Sequence, residues 1–384
     1  MSEGNNGAVH RAFLDQTRRI VVKVGSGVLV DKDYQLDDVR VGVLVQSLSA
    51  LLDNNIQVVL VTSGAVAAGM PVIGLESRPN TIPEKQACAA VGQTRLMSLY
   101  ENFFSNQGHH TAQILLTQDD VANRERYLNA KNAFDTLFSA RIIPIVNEND
   151  TVVVEEIKFG DNDNLSAQVA AMVRADLLLI LSSVEGFYEI DPSNSQDSGR
   201  LISVVEKITK DHFLYVRDSI SSGISTGGMG SKLLAIQQAA HYGVPTVLAS
   251  GFKEGVIQRI ISGEEEGTLF LAQENSISAR KHWILHSLVP RGSLIIDAGA
   301  VHAVVKDGSS LLPIGISKVE GDFSSGHAVR VLASDGVEVA RGLSHYSSSE
   351  ARLIIGCKSE EIESLLGYSY YDEVIHRDNL VLVE

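Results

Sequence analysis

The stretch KFGDNDNLSAQVAAM, residues 158–172, places Asp161, Asn162, Asp163 and Asn164 directly ahead of an apolar run with helical spacing. A side-chain oxygen of Asp163 or Asn164 can cap a helix beginning near Leu165 by accepting hydrogen bonds from the free N–H groups of its first turn. One cap needs one residue, so the others are either ordinary turn formers or part of a site. Two lysines bear on that choice. Lys23 sits inside RRIVVKV (18–24), where an ammonium is costly without a partner. It either snorkels to water from an edge position or meets an anion beside the turn Gly25-Ser26-Gly27, whose backbone N–H groups can approach phosphate closely. Lys232 stands in the first turn of a helix behind the glycine-rich SSGISTGGMG (221–230). A cation there opposes the helix dipole, which demands an anion nearby unless the Gly/Ser segment is only a linker.

Further polar residues end other apolar runs. VTSGAVAAGM puts Ser63 and Gly64 at a strand-to-helix junction, where free N–H groups face an incoming anion, although a simple serine N-cap explains Ser63 as well. The pattern is neither a P-loop nor a G-x-S-x-G elbow. PIVNENDTVV brings Asn147, Glu148, Asn149 and Asp150 out at a strand end. Two lysines, two glycine turns and a set of aspartates at one sheet edge suit phosphoryl transfer, with cations on the transferring oxygens and carboxylates to hold Mg²⁺ or orient the lysines. No covalent nucleophile stands out. His109 and His110 are adjacent and point in different directions, which excludes them as a metal pair.

The elements that must position these residues follow from the apolar runs at 18–24, 56–63, 111–117, 141–147, 176–183 and 245–250. Continuous β-branched runs of this kind are strands buried on both faces, and the segments 36–53, 83–106 and 231–242 supply crossover helices. The expectation is a three-layer α/β fold on a mainly parallel sheet, with ligands beyond the carboxyl ends of the strands. After about residue 275 short strands alternate with Gly, Ser and Asp turns, reading as a small, mostly β domain. The predicted division is a flexible lead-in over 1–17, an α/β domain over 18–275, a linker over 276–290 and the β domain over 291–384.

A chain of 384 residues is long enough for two cores. Its 44% hydrophobic and 21% charged residues fit a globular protein. The net charge of −15 opposes non-specific binding to nucleic acid or an anionic membrane. Cys88 and Cys357 are the only cysteines and lie far apart, so no disulfide framework or thiolate metal site is indicated. No apolar run approaches the roughly 18 residues of a membrane span, and the first 17 lack a signal peptide's apolar core. A cytoplasmic protein is expected.

Taken together, VVKVGSGVL, VTSGAVAAG, QACAAVGQTRLM, LLTQDDVANRERYLNA, IPIVNENDTV, IKFGDNDNLSA, STGGMGSK and GTLF resemble the glutamate 5-kinases, enzymes of the amino-acid-kinase fold, and the C-terminal segment looks like a PUA domain. The likeness runs from about residue 18 to the end. It implies ATP- and Mg²⁺-dependent phosphorylation of the γ-carboxylate of L-glutamate, the opening step of proline biosynthesis, with feedback inhibition by proline and a homo-oligomer, a tetramer. By motif, Lys23 and Lys232 neutralise the transferring phosphoryl group, and Asp161 and Asp163 organise the lysines and metal. Ser63, Gly64, Asn147, Asn149, Asp150 and Asn162 form the glutamate site. Gly25, Ser26, Ser182, Ser183, Thr226, Gly227, Gly228, Met229, Gly230 and Ser231 join the lysines at ATP. The chain departs from the family pattern at one place: Thr-Asp after the fifth strand is Ser182-Ser183 here, so a carboxylate is lost.

Two rivals are distinguishable. Another acyl-phosphate-forming kinase of this fold, acting on N-acetylglutamate, aspartate or carbamate, differs in substrate charge, since a free α-ammonium asks for a carboxylate such as Asp150. RNA binding through the PUA-like segment is disfavoured, because residues 291–384 carry eight Lys and Arg against fourteen Asp and Glu, whereas RNA binders leave a basic footprint.

Overall fold

The computed structural model describes residues 10–31, 35–75, 77–152, 161–189, 199–214, 228–273, 290–368 and 371–383. They fall into two compact units, one drawn from residues up to 122 with 133–274, the other from 123–132 with residues from 275 onward. The expected linker is outside the described residues apart from Pro290.

The first unit is built on strands β1 (Arg19–Val24), β2 (Gln57–Val61), β3 (His110–Leu116), β4 (Ile142–Glu148), β5 (Leu177–Ser182), β6 (Val204–Val205), β7 (Thr246–Ser250) and β8 (Thr268–Phe270). They form one sheet in the order β3-β4-β2-β1-β5-β7-β8-β6. All neighbours are parallel except β7 and β8. Side chains alternate across a strand, and Ile20, Val22 and Val24 of β1 join one apolar cluster with Leu60, Leu179 and Leu44. Lys23 therefore projects from the opposite face. The helices Asp38–Asp53 and Ile82–Asn106 match the expected crossovers. Local chemistry fixes their starts: Asp37 accepts from the Arg40 N–H, and Thr81 and Glu84 form a reciprocal capping box.

Two sequence expectations change. The helix expected near Leu165 starts at Asp161 and runs to Met172, so the Asp and Asn residues form its first turn, where acidic side chains suit the positive end of the dipole. The lead-in is not loose from residue 10 on. Ala12–Gln16 form a 3₁₀ turn, and Arg11 is wholly buried. Its guanidinium donates to the carbonyls of Glu264 and Glu266 at 3.2 and 2.9 Å, and of Ser203 and Gly267 at 3.1 and 3.2 Å.

The second unit carries a five-stranded sheet, β9 (Gly292–Ile296), β10 (Ile316–Gly321), β11 (Ala328–Ala333), β12 (Glu338–Leu343) and β13 (Leu380–Leu382), in the order β10-β9-β11-β12-β13. It has its own core, which includes Leu294, Val329, Tyr346, Ile354 and Val374, in keeping with the small β-rich domain read from the turn-rich sequence.

Candidate active site

Lys23 lies level with Val61 of β2 and Ile180 of β5, in the middle of the sheet. It is 5% exposed, which removes the snorkelling alternative. Its ammonium is met by Asp163 on the first turn of the Asp161–Met172 helix, with Nζ 2.7 Å from Oδ1. Lys232 arrives from the helix Met229–His241, its Nζ 3.4 Å from Oδ2 of the same carboxylate, and Ser231 Oγ donates to that oxygen at 3.1 Å. Burial works to raise the Asp163 pKa, but the two lysines outweigh it and hold the carboxyl below its usual range. Lys232 is pushed down from the ordinary lysine value by burial, with Lys23 adding to the effect and Asp163 opposing it. One carboxylate thus fixes two ammonium groups from different layers, with one negative charge against two positive ones.

A second cluster sits at the ends of β2 and β4. Asn162 Nδ2 donates to Ser63 Oγ and to Asn147 Oδ1, both at 3.0 Å, and Asn162 Oδ1 accepts the Glu148 N–H at 3.3 Å. Asn147 Nδ2 donates to Gln93 Oε1 at 2.9 Å. Gln93 was not among the sequence candidates, because a polar residue at helical spacing reads as a solvated face. Its Nε2 is buried with no hydrogen-bond partner among the described residues, so a donor is held ready beside the amides.

Glycine explains how Gln93 gets there. A Cβ on Gly92 would lie 1.8 Å from the Ala65 carbonyl oxygen, and one on Gly69 would lie 1.9 Å from that of Cys88. The helices Ala65–Ile73 and Ile82–Asn106 therefore touch backbone to backbone. Gly64, at φ +107°, opens the first of them in a conformation that glycine alone adopts readily.

Of the remaining candidates, Asn149 accepts from Thr151 Oγ1 at 2.6 Å, and Asp150 is half-buried beside it. Gly25 precedes the helical turn Ser26–Leu29 and donates its N–H to the Leu181 carbonyl at 3.2 Å. Ser182 is buried and its carbonyl accepts the Gly251 N–H at 2.8 Å, while Ser183 is exposed. Gly228 stands at the N-cap of the Met229 helix and Gly230 is in its first turn. The Asp161 side chain and the whole of Thr226 and Gly227 lie outside the described residues. No cluster of three His, Cys, Asp or Glu able to hold a metal ion occurs among the described residues. Asp163 is bonded to both lysines.

A mainly parallel sheet whose central strand carries one lysine, joined through Asp163 to a second from the Met229–His241 helix, defines a kinase of the amino-acid-kinase class, and the amino acid kinase family profile matches residues 18–250. The PUA domain profile matches residues 292–366. The glutamate 5-kinase of Trichlorobacter lovleyi is 50% identical over 98% of this chain and 99% of its own length. That of Geobacter sulfurreducens is 49% identical over 97% and 99%, and that of Caldanaerobacter subterraneus subsp. tengcongensis 46% over 95% and 98%. The chain belongs to the glutamate 5-kinases.

Proposed function

We propose that this glutamate 5-kinase transfers the γ-phosphoryl group of ATP to the γ-carboxylate of L-glutamate between Lys23 and Lys232, with Asp163 as the strut that sets both ammonium groups. The observation that carries this reading is the single buried carboxylate bonded to the two lysines. The nucleophile is already an anion, so no general base is needed: a carboxylate oxygen attacks the γ-phosphorus, the bond to the bridging oxygen of ADP breaks, and the lysines neutralise charge on the transferring oxygens. Ser63, Asn147, Asn162 and Gln93 hold the amino-acid end, with Asp150 for its ammonium. Ser182, Ser183 and the Met229 helix N-terminus receive ATP.

Mg²⁺ would come in with the nucleotide phosphates, as is usual for this small, strongly hydrated ion. Inhibition by proline, a tetramer and a cytoplasmic location belong to the same proposal. No helix among the described residues is long and apolar enough to cross a membrane. The acidic C-terminal segment speaks against RNA.

Hydroxamate formation dependent on ATP and L-glutamate, measured with and without proline, tests the reading. Product from L-glutamate but not from N-acetylglutamate, aspartate or carbamate is expected. A preference for any of the other three would overturn the substrate assignment.

A further inference from the structure

The chain leaving β5 passes Ser182 and Ser183, then Gly186 and Phe187, and comes back at Leu201 and Ile202. Tyr188 and Leu201 form an antiparallel bridge, and Ile202 N–H donates to the Phe187 carbonyl at 2.9 Å. Under the base of this return sits Thr268, the first residue of β8 and 0% exposed. Its hydroxyl accepts the Phe187 N–H at 2.8 Å and donates to the Ile202 carbonyl at 2.6 Å, closing both strands of the return onto β8. Gly186 is shaped to that hydroxyl. A Cβ there would lie 2.7 Å from Thr268 Oγ1 and 2.8 Å from Leu201 Cδ1. Neither contact is needed to complete the sheet, since β8 pairs with β7 and β6 through its backbone.

We infer that Thr268 and Gly186 are positioning residues for ATP: their fitted contact sets the path of the chain after Ser182 and Ser183, and so the shape of the nucleotide side of the site. The inference rests on the reading that ATP is received at Ser182 and Ser183, beyond the carboxyl end of β5. A buried amide left without an acceptor can tilt the backbone, and small misplacements weaken binding where several groups must act together. Glutamate, held at the ends of β2 and β4, should not sense the change.

The experiment is steady-state kinetics on the full chain with Thr268→Val, which keeps the shape and removes the hydroxyl, Thr268→Ser, which keeps the hydroxyl, and Gly186→Ala. Thr268→Val and Gly186→Ala should each raise KM for ATP by roughly 5- to 20-fold, with KM for glutamate unchanged and Thr268→Ser close to the parent. ADP affinity by calorimetry should fall in parallel. Ser182→Ala is the control for the underlying reading. If it raises KM for ATP while the folded Thr268→Val and Gly186→Ala variants do not, the positioning role is overturned and the nucleotide reading stands. If none of the three variants changes KM for ATP, both fall. Equal losses toward both substrates, or no folded Gly186→Ala and Thr268→Val protein alongside a Thr268→Ser variant as unstable as they are, would make the contact purely structural and overturn the inference.

Discussion

Strand β1 divides the site into two halves that are organised differently. Toward β2 and β4, side chains bind side chains: Ser63, Asn147, Asn162 and Gln93 form a chain of amide and hydroxyl contacts. Toward β5, β7 and β8, backbone geometry dominates. A Cβ on Gly251 would lie 2.7 Å from Val28 Cγ1, and one on Gly267 would lie 2.2 Å from the Leu248 carbonyl oxygen. The first half has close backbone contacts of its own at Gly69 and Gly92, but these lie between two helices, so its polar side chains can be rewritten one at a time without disturbing the sheet. In the second half a substitution alters the path of the chain, so recognition and stability are coupled there. The lysine pair stands at the boundary and belongs to both.

The largest effect should come from that boundary. Lys232→Ala is expected to lower kcat by about 10²- to 10³-fold, the range for removing one preorganised group that stabilises a transition state, with a smaller change in KM for ATP. Near-normal turnover would show that the lysine is not shared between the halves.

On the side-chain half, Asp150→Asn should reduce kcat/KM for glutamate by roughly 10- to 150-fold, because a charge-assisted hydrogen bond to the substrate ammonium is worth about 1.5–3 kcal/mol. Melting temperature and KM for ATP should stay close to the parent values. A parallel loss of fold would place Asp150 among structural residues and blur the contrast.

On the backbone half, Ser183→Asp restores the carboxylate of the family pattern at an exposed position. KM for ATP should drop by roughly five-fold, equivalent to one hydrogen bond of about 1 kcal/mol. A rise would show that the chain's path, rather than an acceptor, sets affinity here.

The smallest effect concerns the far edge of the side-chain half. Glu101 accepts from the Thr111 hydroxyl and, at 2.9 Å each, from the Thr111 N–H and Ser105 Oγ, with His110 Nδ1 at 3.3 Å. The Thr111 hydroxyl, against a partial burial penalty and with help from the other donors, lowers the Glu101 pKa to about 2. A folded pKa below the unfolded carboxylate value of about 4.3 gives stability that is present above that pH and lost as pH falls toward 2. The side chain is 40% exposed, so solvent screening limits the contribution to about 1 kcal/mol or less. The urea midpoints of the parent and Glu101→Gln should differ at pH 7 and converge between pH 5 and 2. A difference independent of pH would exclude the carboxylate as its source.

Much of this organisation was legible in the sequence, and the exceptions have physical causes. Lys23 announced itself because an ammonium in an apolar strand has few explanations. Lys232 did so because a cation in a helix's first turn needs an anion. Asp163 was legible as a candidate, but the helix start was misplaced, since Asp and Asn signal turns as strongly as they signal first-turn positions. Gln93 could not be read: its role depends on the approach of two helices at Gly69 and Gly92, and a glycine within a helix does not disclose what will lie against it. The reversal of β8 against β7 was equally invisible, because a three-residue apolar strand looks the same in either direction. Arg11 was passed over because an isolated arginine in a polar terminus carries no periodic signal, and its acceptors are distant backbone carbonyls.

That buried arginine also bears on how the chain is made. Arg11 is synthesised well before its acceptors, which lie 192 to 256 positions further along. At about 5–20 residues per second, roughly 10–50 s pass before the last of them is translated. During that interval the guanidinium has no native partner, and the N-terminal segment cannot dock however early β1 and β2 pair. Contacts of such sequence separation also slow folding, because a long loop must close before they form. A nascent chain stalled ahead of Gly267 should therefore be cleaved by trypsin after Arg11, and release of the complete chain should abolish that cleavage.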